Sequence, residues 1–499
     1  MGLISWFKEK FKMLFKTDAE KAFGVETYLS TEMDKAIKLW EQLESGKPPW
    51  LDSDPQHEVR TIRFSNTVAR ELSKLVTQNI DIKVQAKYGT GETAALIQKA
   101  IDDYFLKNAQ EIVGDQIMLG GVMAKWNGKG MDYIPPDRFL VTEFDSNKEI
   151  LAAIFFSYYQ KEKKFYTRAE WHRFEDVVHR SDSEDGPAGP VRIYRVSNKA
   201  FVSDQQDQIG RETSLKNTKW ADIVPEFTAE NLQKPLFVYI KNPYSNTIDP
   251  DSPLGVSCFS ECIEELRWLD IAMSTMGTET ETSAPMMIVD QSAVQYANMN
   301  NIKLPKFISN TGLSITDDTK PVEQWQPQLQ VTSRTEGINF LLSIIGYKTG
   351  FDPGYFVFNG QTISVATATQ VESTERRTIN TVGDYRDVLS CPDSNGDGRI
   401  GALHDIAYII NAMAIINGEL PPSEYGNYEV FADFADLTRN AEEDKAFDYQ
   451  LTQNKYMAKF RFLVRHLGMT EEEAKAMVKE AADEDKELNS EGNSLFGEE

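Results

Sequence analysis

At 499 residues the chain is about three times the usual ~150-residue domain, which excludes one compact domain. A 41% hydrophobic share with 27 Phe, 19 Tyr and 8 Trp supplies enough apolar surface to exclude a wholly disordered chain. The 77 acids against 53 Lys and Arg give a net charge of −24, which excludes tight nucleic-acid binding through clustered cations.

The chain opens on MGLISWFKEKFKMLFK, whose Leu3, Ile4, Phe7, Phe11, Leu14 and Phe15 recur at helical spacing. Residues 1–19 therefore predict a basic amphipathic helix. So short a helix on an acidic chain favours packing on a neighbouring subunit over lying on a membrane. Residues 1–16 lack the apolar run and cleavage site of a secretory signal, and Trp6 breaks the myristoylation pattern. Residues 32–44 and 58–79 are helical in period, with Pro48 and Pro49 between them. Residues 80–85 alternate as a strand, and 92–108 return to helix. From 120 to 240 short alternating runs (152–156, 191–196, 236–240) and turns such as Asn127-Gly128 predict β-hairpins. The aromatics and arginines there suit half-exposed strands better than nucleic-acid readout.

Asp251 and Ser252 as caps and Pro253 at the first position predict a long helix over 252–283, about 45 Å in length. Its stripe is Leu254, Cys258, Cys262, Leu266, Leu269, Met273 and Met276. Cys258 and Cys262 share a face without the further ligands a zinc site needs, so they read as core. With Cys391 they are too few for a disulfide framework, which implies a reducing compartment. Residues 285–331 revert to strands and turns. A Ser333…Glu336 capping box then opens a helix over 333–350, with Ile338, Leu341, Leu342 and Ile345 inward and Gly350 as its stop. In the loop 352–364, Tyr355, Phe356 and Phe358 stand too close together to face one core. Gly354 and Gly360 permit an excursion, and Asn359 and Gln361 offer uncharged polar contacts. A buried connection is the alternative. Residues 366–389 are helical.

The run DSNGDGRI places Asp393, Asn395 and Asp397 at positions 1, 3 and 5 of a calcium loop, with Gly398 at 6 and the Arg399 carbonyl at 7. Position 12 is His404, a poor ligand for a hard cation, and the acid comes one late at Asp405. Calcium and a polar turn are both open readings of this segment. A calcium-dependent binding module is the rival to the function developed below. Residues 402–417 read as helix, 428–434 as strand, and 440–467 and 470–487 as two helices, the second opened by a Thr470…Glu473 box. Residues 488–499 read as a disordered acidic tail. No phosphate loop, nucleophile elbow or H-E-x-x-H motif occurs, and the five His are scattered, so no enzyme and no required cofactor are expected.

Taken in order, GLISWFKEKFKMLF, EKAFGV…MDKAIKLWEQLESGKPPWL, NPYSNTIDPDSPLGVSCFSECIEELRWLD, ISVATATQVEST and FADFADLTRNAEEDKAF carry a resemblance. Over nearly its full length the chain resembles the portal proteins of tailed bacteriophages of the siphophage type. The calcium-like loop is a departure from that pattern. The resemblance implies an α+β portal fold assembled as a homo-oligomeric ring, usually of twelve, at one vertex of the virion capsid. Such rings form in the host cytoplasm. They pass double-stranded DNA without sequence preference and bind the terminase motor, the major capsid protein, a scaffold protein and head-completion or tail proteins, with no membrane involved. It implies a wing over 20–251, stem helices over 252–283 and 333–351, and a clip over 284–332. Within the clip Lys303, Lys306 and Trp325 would dock the motor or connector. It further implies a tunnel loop over 352–364 with Tyr355, Phe356, Phe358, Asn359 and Gln361 facing DNA, a second wing part over 365–436 and a crown over 437–487.

Overall fold

The computed structural model describes residues 11–52, 59–89, 91–178, 190–205, 208–282, 286–289, 291–302, 308–309, 322–325, 330–358, 376–392, 399–434, 441–467 and 469–494. The fold is α+β. Helices α1 (Phe11–Phe23), α2 (Thr31–Glu44) and α3 (Phe64–Thr77) precede strand β1 (Asp81–Gln85) and helices α4 (Glu92–Tyr104) and α5 (Ala109–Leu119). Strands β2 (Gly121–Trp126), β3 (Met131–Ile134), β4 (Phe139–Phe144), β5 (Ile150–Lys161), β6 (Lys164–Val178), β7 (Pro190–Ser203), β8 (Arg211–Thr213), β9 (Glu226–Glu230) and β10 (Phe237–Lys241) come next. Helix α6 (Ile263–Thr282) leads to β11 (Met286–Val289), α7 (Gln291–Met299), β12 (Ile308–Ser309), β13 (Val322–Trp325) and α8 (Val331–Lys348). After α9 (Arg376–Leu389), β14 (Cys391–Pro392) and β15 (Arg399–Ile400) come α10 (Ala402–Ile416) and β16 (Glu429–Asp433). Helices α11 (Ala441–Gln453), α12 (Lys459–Leu467) and α13 (Glu471–Ser494) end the described chain.

The described residues divide into two compact units, one within 1–361 and 380–435, the other within 362–379 and 436–499. In the first unit an antiparallel sheet runs β4-β5-β6-β7-β8, with β9 also on β7, and a smaller one runs β10-β2-β3. Helix α10 contacts β10, β2, α4 and β16. Its Leu403, Ile406, Ala407, Ile409, Ile410 and Ala412 are all buried, so it is a core helix apolar on most sides. In the second unit α11, α12 and α13 pack in sequence. The Thr470…Glu473 box forms as the spacing predicts. The Thr470 N–H donates to Glu473 Oε2 (3.0 Å) and the Glu473 N–H to Thr470 Oγ1 (3.4 Å).

Several sequence expectations need correction. The helix expected over 252–283 begins only at Ile263. Before it, the Asn242 and Asn246 side-chain amides donate to the carbonyls of Val256 (2.9 Å) and Leu254 (3.0 Å), and the Cys258 N–H donates to Ile117 O (3.1 Å). Groups that a helix would pair internally are taken by the neighbouring core. Leu254, Val256, Cys258 and Phe259 are buried there against that core, outside any helix. Helix α8 begins two residues before the supposed Ser333 cap, although Gly350 (φ 93°) does follow its end. The insert between α6 and α8, expected as strands and turns, contains a helix, α7. The helix expected over 58–79 starts at Phe64. The single helix expected over 440–467 is two, broken where Lys455 takes φ 64°. Residues 488–494, expected to be disordered, continue α13. In the amphipathic opening, residues 1–10 lie outside the described residues. The remainder, α1, touches the chain's own sheet at its C-terminal end. Lys199 Nζ donates to Ala22 O (2.8 Å), and the Phe23 and Trp171 rings lie 5.4 Å apart.

Candidate functional site

Helices α6 and α8 pack side by side, and charged pairs near both ends fix their register. Lys348, in the last turn of α8, sets its ammonium 2.5 Å from Glu265 Oε1 and 2.8 Å from the Glu261 carbonyl. At the other end Arg334 pairs with Glu279, whose second oxygen accepts the Gln330 N–H at 3.3 Å. Fourteen positions separate the two acids and fourteen the two cations, so the helices run antiparallel over about 21 Å. Each pair is partly exposed and contributes only about 0–1 kcal/mol. The buried seam of Leu266, Leu269, Ile338, Leu342 and Ile345 holds the hairpin, and the charges set its register.

One face of α6 is sewn to the body of the first unit. Asp270 accepts the Trp50 indole N–H on Oδ2 (2.9 Å) and the Ile62 N–H on Oδ1 (3.0 Å), and Ser274 Oγ exchanges hydrogen bonds with the backbone of Arg60. Burial raises the Asp270 carboxyl above its ordinary value, against the pull of the Trp50 and Ile62 donors. Trp268 of α6 (58% exposed) and Phe340 and Tyr347 of α8 (65% and 52%) are exposed.

The insert builds a three-stranded sheet in the order β12-β11-β13, with β11 antiparallel to β13 and parallel to β12. Trp325 ends β13 opposite Met286 in the backbone register. Lys303 and Lys306 lie outside the described residues. Tyr296, Met299 and Ile302 on and after α7 are exposed.

The segment after α8 departs from the expected free loop. Phe351, Tyr355 and Phe356 form a triangle of rings with centroids 4.8–4.9 Å apart. Phe356 also meets Phe64 edge-on at 5.2 Å, and the Tyr355 hydroxyl donates to Glu71 Oε1 at 2.9 Å. Tyr355 and Phe356 thus anchor the segment to α3, where the sequence suggested a mobile excursion beginning at Asp352. Closely spaced aromatics avoid one helical face but can still pack on each other. Phe358 is 76% exposed, with its N–H on Asn339 Oδ1 (3.1 Å). Asn359 and Gln361 lie outside the described residues.

Of the calcium-loop residues, Asp393, Asn395 and Asp397 lie outside the described residues, and Arg399 is placed by its β15 backbone opposite Pro392. Asp405 sits in the first turn of α10 with its carboxylate 2.6 Å from the Lys234 ammonium. A cation already on that oxygen competes with any metal. His404 Nε2 lies 3.1 Å from Ser390 Oγ. Among the described residues no group of three His, Cys, Asp or Glu side chains is placed to hold a metal ion, and no helix is long and apolar enough to cross a membrane.

A buried charge network was invisible in the sequence. Glu170 on β6 accepts Lys125 Nζ from β2 (2.9 Å) and Arg168 Nη2 (2.9 Å) on Oε2, and faces His172 Nε2 (3.0 Å) with Oε1. His172 Nδ1 lies 2.8 Å from the Tyr194 hydroxyl, which accepts the Leu236 N–H at 3.1 Å. Burial alone would raise the Glu170 carboxyl, but Lys125, His172 and Arg168 hold it well below the carboxylate range. Burial pushes the His172 imidazole down, only partly opposed by Glu170. No side chain of this ion-pair cluster is more than 11% exposed, so a substrate has no access to it and it joins the two sheets. The cysteines follow the same logic. Burial raises both thiols, Cys262 to about 12, and they remain core residues. An open groove between α3 and α5 mixes Arg70 and Lys107 with Glu44 and Glu111.

The hairpin partners lie 51 to 87 positions apart in sequence and Lys125 lies 45 from Glu170, so only the tertiary fold reveals these pairs. No family model and no curated protein matches the chain. Among solved structures it is similar to the neck of a native GTA particle computed with C12 symmetry. That match has a TM-score of 0.40 and 10% identity, over 85% of this chain and 91% of the other. It is likewise similar to the neck of an empty GTA particle computed with C6 symmetry, at TM-score 0.43 and 10% identity, over 91% of this chain and 98% of the other.

Proposed function

We propose that this chain is the portal subunit of a tailed-phage-like particle, assembled as a ring at one capsid vertex through which double-stranded DNA enters and leaves. The observation that carries the reading is the antiparallel hairpin of α6 and α8 with a small sheet and helix inserted at its open end. It falls where the sequence resemblance expects a stem pair carrying a clip. The hairpin is joined to the body at Asp270, so the insert can project as a docking surface for a packaging motor or a connector protein. Tyr296, Met299 and Ile302 add exposed apolar area to that surface. The net charge of −24 suits a conduit. A cationic wall would release counterions from DNA and trap it, whereas an acidic wall leaves the duplex free to slide.

Negative-stain imaging of the purified protein tests the reading. The expected result is a closed ring with a central hole, and a monomer at all concentrations would overturn it. A packaging assay tests the insert. Lys303→Glu with Lys306→Glu should leave rings intact and stop packaging, and loss of the rings themselves would make the insert assembly core instead.

A further inference from the structure

The segment 233–236 carries the chain from β9 toward β10, and two tyrosines hold its backbone. The Gln233 and Lys234 N–H groups donate to the Tyr408 hydroxyl of α10 (2.9 and 3.0 Å), and Lys234 Nζ reaches Asp405. The Leu236 N–H donates to the Tyr194 hydroxyl, and the Leu236 carbonyl accepts the Trp126 N–H of β2 (3.3 Å). Tyr194 is fully buried. Its hydroxyl proton therefore needs an acceptor, and the atom in reach is His172 Nδ1. That choice fixes the rest of the chain. With Nδ1 accepting, Nε2 carries the proton and donates it to the ionised Glu170.

We propose that His172 is a proton-operated latch, closed in its neutral Nε2–H form, which pins the strap 233–236 and so the junction between the β10-β2-β3 sheet and the larger sheet. A second proton on Nδ1 occupies the acceptor, and the Tyr194 hydroxyl proton is left buried without one. The groups that face the imidazole show why the site resists that proton until the solution is acidic. Lys125 comes from β2, Arg168 and Glu170 from β6 and Tyr194 from β7, while the Phe155 and Phe237 rings of β5 and β10 close on it at 5.2 and 5.9 Å. Two fixed cations already answer one carboxylate, so an imidazolium adds unbalanced charge. The folded imidazole titrates below 6.5. Above 6.5 the latch contributes its full stability. As pH falls from 6.5 toward the folded value, the unfolded and the opened states bind the proton first and the contribution is lost.

Amide hydrogen exchange of the full chain at about pH 7.5 and about pH 5, corrected for the intrinsic rates, tests the latch. In the parent, protection across residues 236–241 should fall severalfold at the acid pH, while α10 keeps its protection. In His172→Gln that pH-dependent fall should vanish. In Tyr194→Phe protection should be low at both pH values. A parent whose protection does not change with pH, or whose midpoint lies above 6.5, overturns the proposal, and so does an unaltered fall in His172→Gln. The parent measurement stands alone if a variant fails to fold. Ring formation is unaffected by any of these outcomes, so the latch and the portal reading fail separately.

Discussion

At the scale of single residues, the unusual feature is an ammonium inside the protein. Lys125 is 2% exposed and depends on Glu170 and the Trp126 carbonyl for its charge. Removing one member of a buried pair leaves an uncompensated ion, which costs about 3–5 kcal/mol, whereas replacing both with apolar groups is often close to neutral. Glu170→Gln should therefore lower the urea midpoint of the first unit strongly, and Lys125→Met with Glu170→Met should recover much of the loss. Equal midpoints for Glu170→Gln and the parent would mean that water reaches the ammonium. None of this was readable from sequence. A lysine in an alternating strand reads as a solvent-facing residue, and the five His showed no pattern. The carboxylate partner of Lys125 comes from another strand 45 positions away.

At the scale of elements, local chemistry was read well where the element makes its own case. The Thr470…Glu473 box, the stop at Gly350, the helix α10 and the pairing-competent strand at 80–85 all follow from capping, turn and periodicity rules. The reading failed before α6, where apolar residues at helical spacing are buried by tertiary contacts. The decisive positions are two glycines. A Cβ on Gly255 would lie 2.0 Å from the Gly120 carbonyl oxygen, and one on Gly120 would lie 2.7 Å from Gly255 O, with Gly120 itself at φ 87°. Two backbones cross there with no room for a side chain, and a helix over 252–262 could not make that approach. Gly255→Ala should destabilise the first unit by about 1–3 kcal/mol through overpacking against rigid backbone. Gly277→Ala, in α6 with open space around it, should instead stabilise by about 0.5–1 kcal/mol. Thermal unfolding of the two variants against the parent checks the sign, and a neutral Gly255→Ala would show that the crossing can open. The hairpin register was illegible for another reason. Glu265, Glu279, Arg334 and Lys348 are ordinary helix-surface residues until the insert folds back and brings them opposite one another.

At the scale of the whole molecule, the candidate DNA-facing segment was only half legible. Its composition marked it, but Tyr355 and Phe356 belong to the packed triangle with Phe351, while Phe358 is exposed. If the residues beyond Phe358 face DNA in the proposed channel, charge there decides the friction. Asn359→Lys with Gln361→Lys multiplies two cations by the number of subunits, and each phosphate contact adds to binding through counterion release. Packaging should slow about tenfold or more while rings still form, and the slowing should lessen as salt rises. Packaging at the parent rate in low salt would take the segment out of the DNA path.

The pairing of β1 with β16 sets a timetable for biosynthesis. Asp81 lies opposite Asp433, Tyr88 exchanges hydrogen bonds with Asn427, and Thr93 donates to Glu424. These contacts close loops of more than 330 residues, so a strand made early must wait for one made late. At about 5–20 residues per second, roughly 20–70 s of translation separate the two strands. Throughout that interval β1 has the Gln98 side chain on its backbone but lacks its strand partner. The first unit therefore completes its fold only after the residues of β16 have been made.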